Sequence, residues 1–211
     1  EIAYTSGLVR PQAAVIINVG TAHLEGFGSR EGIARAKGEI YQGLTEDGVA
    51  VVNRDDDFAE LWLQQLQGRC VLTFSERGDA DVRATDITSG DMPQYRFTLH
   101  VGTQSLPVRL QLLGRHQVMN ALAAASLAHA CGVPLSRIRD GLEKTRPFAG
   151  RTVLHELGQG RHLIDDTYNA NPSSMKAAID LLAALPGRKV LVLGDMGELG
   201  DATASGHLEV G

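Results

Sequence analysis

The chain has 211 residues, 43% apolar and 21% charged, enough for one large or two modest hydrophobic cores and ordinary for a globular protein. A net charge of -5 removes the electrostatic reason to expect nucleic acid, and no apolar run approaches the roughly 20 residues that cross a bilayer. Glu1-Ile2-Ala3-Tyr4-Thr5 has neither the basic start nor the apolar core of a signal peptide, so a cytoplasmic protein is expected, and separately a monomer.

Residues 13–19 form a continuous apolar run that predicts a strand buried on both faces. Ser29 then stands where a helix cap belongs. Ile33, Ala36, Ile40 and Leu44 stripe one face of a predicted helix over about 30–43. A second buried strand is predicted at 48–53, a helix with an acidic first turn at 55–66, and a short strand at 71–74. The rhythm then changes: 81–88, 94–101 and 104–112 read as short strands separated by turns at Ser89-Gly90-Asp91 and Gly102-Thr103. An alanine-rich helix from 117 to 130 should stop at Gly132, and another should run from 136 to 144. Residues 145–151 carry Pro and Gly without periodicity, which places a domain boundary there, between 1–148 and 149–211. Strands near 152–157 and 161–165 come next. A helix capped by Asn171 with Pro172 at its first position follows, then a buried strand at 189–193 and the start of a further helix. The chain opens without Met and stops as that helix begins, so a fragment is expected; Cys70 and Cys131, among apolar neighbours, are expected as reduced core residues.

This pattern is α/β: a mostly parallel sheet with a small antiparallel extension, followed by the beginning of a second α/β unit. In such sheets a strand's carboxyl end and the helix after it face one cleft, which brings His23 and Lys37 into view. A histidine there can hold a metal or merely satisfy a strand end. A lysine on a helix is ordinarily a solvated charge. Asp165, Asp166 and Asn169 can be an ordinary strand-to-helix turn, and Asn171 an ordinary cap. Asp195 and Glu198 follow a strand end, where they can meet a ligand or solvate a loop. His100, His129, His155, His162 and His207 are scattered without ligand spacing and read as structural or exposed.

Seven runs occur in the order in which they occur in the Mur ligases, and their ordered set resembles that family over nearly the whole chain. They are Ala22-His23-Leu24-Glu25-Gly26-Phe27-Gly28-Ser29, Ala36-Lys37-Gly38-Glu39-Ile40, Leu113-Gly114-Arg115-His116, Asn120-Ala121-Leu122-Ala123-Ala124-Ala125, Gly150-Arg151, Asp165-Asp166-Thr167-Tyr168-Asn169-Ala170-Asn171 and Gly194-Asp195-Met196-Gly197-Glu198-Leu199-Gly200. The resemblance implies the later part of a central ATPase domain and the start of a Rossmann-like C-terminal ligase domain. It implies ATP and Mg2+ as cofactors and amide-bond formation through an acyl phosphate. The last two runs are similar to the branch that joins UDP-N-acetylmuramoyl-tripeptide to D-alanyl-D-alanine in peptidoglycan precursor synthesis.

By the same resemblance His23 matches a ligand of a second magnesium, and Lys37 matches a lysine carbamylated to complete that site. Asn120 matches an adenine contact. Gln117 stands where the family carries another asparagine, which puts the adenine contact there in doubt. Arg151 and Asp166 match residues near the nucleotide, and Tyr168, Asn169, Asn171, Asp195 and Glu198 are candidates to line the dipeptide site. No G-x-x-x-x-G-K-[ST] phosphate loop occurs in the sequence, so the chain alone is expected not to turn over. Three rival readings stay open: a sister ligase adding one amino acid, a non-catalytic nucleotide-binding module, and a dinucleotide-dependent oxidoreductase. The last is weakened by the G-x-x-G-x-x-G spacing of Gly194, Gly197 and Gly200, which is not G-x-G-x-x-G.

Overall fold

The computed structural model describes residues 1–20, 24–90 and 92–211, with the backbone alone of residues 24 and 25. Six strands form one sheet in chain order: β1 (Ala13–Ile16), β2 (Val49–Asn53), β3 (Cys70–Ser75), β4 (Val82–Ser89), β5 (Gln94–Val101) and β6 (Gln104–Leu113). β1 to β4 run parallel, and β4, β5 and β6 pair antiparallel, so the predicted parallel sheet with an antiparallel extension is what forms.

Side-chain alternation along β2 explains why the parallel half needs two helical layers. Val51 points to one face and packs with Phe74, Val82, Leu99 and Val108 under α5 (His116–Ala130) and α6 (Leu135–Lys144). Ala50 and Val52 point to the other face. There they meet Ile33 and Ala34 of α3 (Arg30–Gly38) and the fully buried Trp62 of α4 (Ala59–Gln65). The Trp62 indole donates to the Ala34 carbonyl at 3.0 Å, and the Tyr41 hydroxyl donates to the Val51 carbonyl at 2.8 Å, so both buried polar atoms are satisfied. A helix that the sequence reading missed, α1 (Ile2–Val9), closes this layer by packing on the 3-10 turn at 39–43. A Cβ at Gly43 would sit 2.3 Å from the Ser6 backbone, so this approach requires glycine. A short helix, α2 (Leu24–Phe27), precedes α3.

After α6 come the hairpin β7 (Val153–Gly158) with β8 (Arg161–Asp165), then α7 (Pro172–Ala184) and α8 (Thr203–Val210). α7 begins as expected: Asn171 Oδ1 accepts from Ser174 N–H, Ser174 Oγ accepts from Asn171 N–H, and Pro172 takes the first position.

Three expectations need correction. The apolar run at 189–193 forms no ladder, and Val190 and Val192 are exposed; a parallel strand needs a neighbour, and no described strand lies beside it. Cys70 and Cys131 are both exposed rather than core, one opening β3 and the other capping α5, each just past the layer its element buries. The helix predicted from residue 55 begins at Ala59, because Asp55 and Asp56 spend their carboxylates on neighbouring backbone and hydroxyl groups instead.

Candidate active site

β1 ends at Ile16, yet the next three residues are held firmly by side chains from four other positions. Asn53 Nδ2 donates to the Ile17 carbonyl at 2.8 Å, and Lys37 Nζ donates to the Asn18 carbonyl at 2.9 Å. The Val19 N–H donates to Asp56 Oδ2 at 2.7 Å, and Arg30 Nη2 donates to the Val19 carbonyl at 3.2 Å. Backbone that leaves a ladder must find other partners, and here these four come from the end of β2, the turn just after it, and α3. The clamp fixes the backbone of residues 17–19 just beyond the strand. His23 itself lies outside the described residues.

Lys37 reaches this position because α3 buries Ile33, Ala34 and Gly38, leaving residue 37 on the flank that faces β1. Ser29 starts that helix by accepting the Gly32 N–H at 3.0 Å. Partial burial lowers the Lys37 ammonium pKa from its ordinary value, and the Asp56 carboxylate opposes that shift. Lys37 and Asn120 line one cavity of about 410 Å3, together with Ile2, Val15, Ile17 and Asn18, along the edge of β1 that no described strand pairs.

On the other side of the sheet Gly114 turns the chain from β6 into α5 with φ +100°, and a Cβ there would stand 2.6 Å from the His116 ring. Glycine therefore gives both the turn and the space for the imidazole. His116 Nε2 lies 3.0 Å from Gln117 Nε2, and Gln117 Oε1 accepts from Asn120 Nδ2 at 3.1 Å. An amide nitrogen can only donate, so the His116 Nε2 accepts and its proton sits on Nδ1. Gln117, on its longer arm, thus holds Asn120 rather than standing apart from it. Desolvation lowers the His116 pKa, with nearby Asp166 pulling the other way.

Asp166 Oδ1 accepts from the Thr152 backbone N–H at 2.9 Å and from its hydroxyl at 3.1 Å, tying the end of β8 to the residue that opens β7. Gly150, at φ +71°, accepts from the Tyr168 N–H at 3.1 Å. The Arg151 guanidinium lies 3.9 Å from the centroid of the exposed Tyr168 ring, a cation–π pair that presents a flat positive surface at the junction. Asn169 Oδ1 accepts from the Ala170 N–H, and Asn171 is occupied as the helix cap, so these two side chains serve the turn. Asp195 is fully exposed, and Glu198 holds a φ of +59°. The backbone of α2 approaches the 3-10 turn at 200–202, so the segment following residue 23 lies against the end of the Gly194–Gly200 loop.

Sequence reasoning missed Asn53, Asp56 and Arg30, which build the clamp. For Asn53 and Asp56 the signal was present as an Asn-Arg-Asp-Asp-Asp run at a strand's carboxyl end, here read as the first turn of a helix. Among the described residues no three of His, Cys, Asp and Glu gather closely enough to hold a metal ion. An ammonium cannot ligate magnesium, a hard cation that takes oxygen; a carbamate on Lys37 could, with the remaining positions left to substrate phosphates and water.

A family model described as "Mur ligase middle domain" matches residues 1–128, and one described as "Mur ligase, glutamate ligase domain" matches residues 150–211. The chain is similar to a UDP-N-acetylmuramoyl-tripeptide--D-alanyl-D-alanine ligase of Escherichia coli K12, 45% identical over 214 residues that cover 100% of this chain and 47% of the relative. Its fold matches crystal structure I of MurF from Acinetobacter baumannii with a TM-score of 0.93 at 43% identity, over 100% of this chain and 46% of that one. It also matches a MurF ligase of Thermotoga maritima in complex with ADP, with a TM-score of 0.82 at 29% identity, over 99% and 47% of the two chains. The chain spans about half the length of the relatives it matches.

Proposed function

Because the chain belongs to the Mur ligase family, we propose that the protein carrying it is an ATP-dependent ligase that joins UDP-N-acetylmuramoyl-tripeptide to D-alanyl-D-alanine in the cytoplasm. The observation that carries this reading is the wall shared by Lys37 and Asn120: an amine of lowered pKa and an amide face one cavity at the carboxyl end of a parallel sheet. We divide the chain at the Pro-Gly stretch, with a central nucleotide-binding domain at 1–148 and a C-terminal ligase domain at 149–211.

Each residue then takes a role its surroundings can perform. Asn120, held by Gln117, keeps a carbonyl oxygen and an amide hydrogen for a purine edge. Arg151 offers charge to phosphate, and Asp166 keeps one oxygen for the ribose hydroxyls. Tyr168 and the 194–200 loop, with Asp195 and Glu198, border the dipeptide. Asn169 and Asn171 shape that border from within the turn. The neutral Lys37 amine takes up carbon dioxide and loses a proton, which leaves one N–H to go on donating to the Asn18 carbonyl. The carbamate oxygens, with His23, would hold magnesium, which when bound neutralises crowded phosphate oxygens. Without a phosphate-loop motif in its sequence, the 211-residue chain by itself does not turn over.

The test uses the longer protein with ATP, magnesium, the UDP-linked tripeptide and D-alanyl-D-alanine, following phosphate release. Release that depends on the dipeptide supports the reading, and release indifferent to it rejects the reading. Lys37→Ala should lose at least about a hundredfold in kcat, as for removal of a group that stabilises charge in the transition state, and short carboxylates should restore part of it.

A further inference from the structure

The Gly194–Gly200 loop contains three glycines, and a Cβ at Gly194 or Gly197 would touch nothing within 4 Å, so packing around those positions does not define its course. What defines it is α8. Met196 is buried against Met175 and Leu199, and its backbone N–H donates to His207 Nε2 at 3.1 Å. His207 Nδ1 lies 2.8 Å from the Thr203 carbonyl. A carbonyl oxygen accepts and a backbone N–H donates, so both ring nitrogens are committed and the imidazole is the neutral Nδ1–H tautomer.

A second observation explains how the ring comes so close. Gly206, immediately before it, is buried inside α8, where glycine is an unfavourable helix former. A Cβ there would lie 2.9 Å from Leu199 and 3.4 Å from Pro172, so glycine lets the helix settle onto the loop. An ion pair between Lys176 of α7 and Glu209 holds the far end of α8 in the same seat.

Asp195 precedes Met196, and its exposed carboxylate lies 3.9 Å from His207 Nε2. Because the Met196 N–H already occupies the lone pair of that nitrogen, the imidazole offers Asp195 no proton. The carboxylate stays at the mouth of the loop, free to receive an ammonium group. We propose that His207 is a positioning residue for amino-substrate binding: it fixes the backbone at Met196 and thereby aims Asp195 at the amine of the incoming dipeptide. This rests on the ligase reading given above.

Three measurements on the longer protein test it. In selectively 15N-labelled protein, long-range imidazole correlations should give the Nδ1–H pattern for His207, and the Met196 amide should exchange slowly. An Nε2–H or doubly protonated ring would overturn the proposal without any variant having to fold. In steady-state assays His207→Leu should raise the KM for D-alanyl-D-alanine about tenfold, with the KM for ATP and kcat changed less than about threefold. His207→Gln, whose amide oxygen can accept from Met196, should recover most of that loss. An unchanged dipeptide KM in His207→Leu, or equal losses in kcat and both KM values, would overturn it. Wild-type protein without dipeptide-dependent phosphate release would instead sink the ligase reading, while the imidazole measurement would still judge the contact.

Discussion

Residues 13–142 and residues 150–211 are built on opposite principles. The first region buries long apolar side chains on both faces of a twisted sheet, with Trp62, Phe74, Leu99 and Leu122 fully out of water. The second gathers a small cluster around Met175, Met196 and Leu199, and otherwise defines itself by side chains bonded to nearby backbone: Asp166 to Thr152, Asn171 to Ser174, His207 to Met196. Buried apolar area sets global stability, at about 25 cal/mol per Å2, whereas a single side-chain hydrogen bond contributes about 1 kcal/mol. The first region therefore supplies a rigid platform, and the second presents adjustable polar groups to it.

The sharpest way to break this contrast is to empty the first core. Trp62→Ala should cost about 3–5 kcal/mol in denaturant unfolding and leave the Ala34 carbonyl without its indole donor. A cost below about 1 kcal/mol would mean that the two-layer packing does not carry the stability. In the second region the corresponding change is smaller: Asn171→Ala removes a helix cap and should cost about 1 kcal/mol. Hydrogen exchange should show that loss confined to amides of α7, with those of β2 unmoved. A loss spread evenly over both regions would show that they unfold as one unit.

The finest probe lies where the regions meet, at His116 and Asp166. The folded pKa of His116 lies below its ordinary 6.5, so between the two values the unfolded chain binds more protons. Stability should therefore rise with pH through that window and level off above 6.5. Unfolding midpoints measured from about pH 5 to about pH 7.5 should vary less in His116→Gln than in the parent chain. An identical slope in the two proteins would remove His116 as the cause.

The antiparallel strands were legible because each alternates apolar and polar residues between turn signals, and a hairpin's partner is the next stretch of chain. The α7 start was legible because a cap is a contact between residues three apart. The run at 189–193 reads as a strand by the same rules and forms none, since a parallel ladder depends on a neighbour that local sequence does not specify. The candidate site divides in the same way. Lys37, Asn120, Arg151 and Asp166 stand out by residue type and order. Asn53, Asp56 and Arg30 do not, because they grip backbone 11 to 37 positions away.

By itself the sequence determined where the capped helices α3 and α7 begin, where turns fall, which faces are apolar and in what order the polar motifs come, since all of these follow from interactions within a few residues. Tertiary structure alone decided that Lys37 shares a cavity with Asn120, that Asp56 bonds Val19 instead of opening a helix, and that His207 Nε2 accepts from the Met196 N–H in the loop beside Asp195. Those facts depend on distances across the sheet and between helices, which are set by how whole layers pack rather than by any stretch of neighbouring residues.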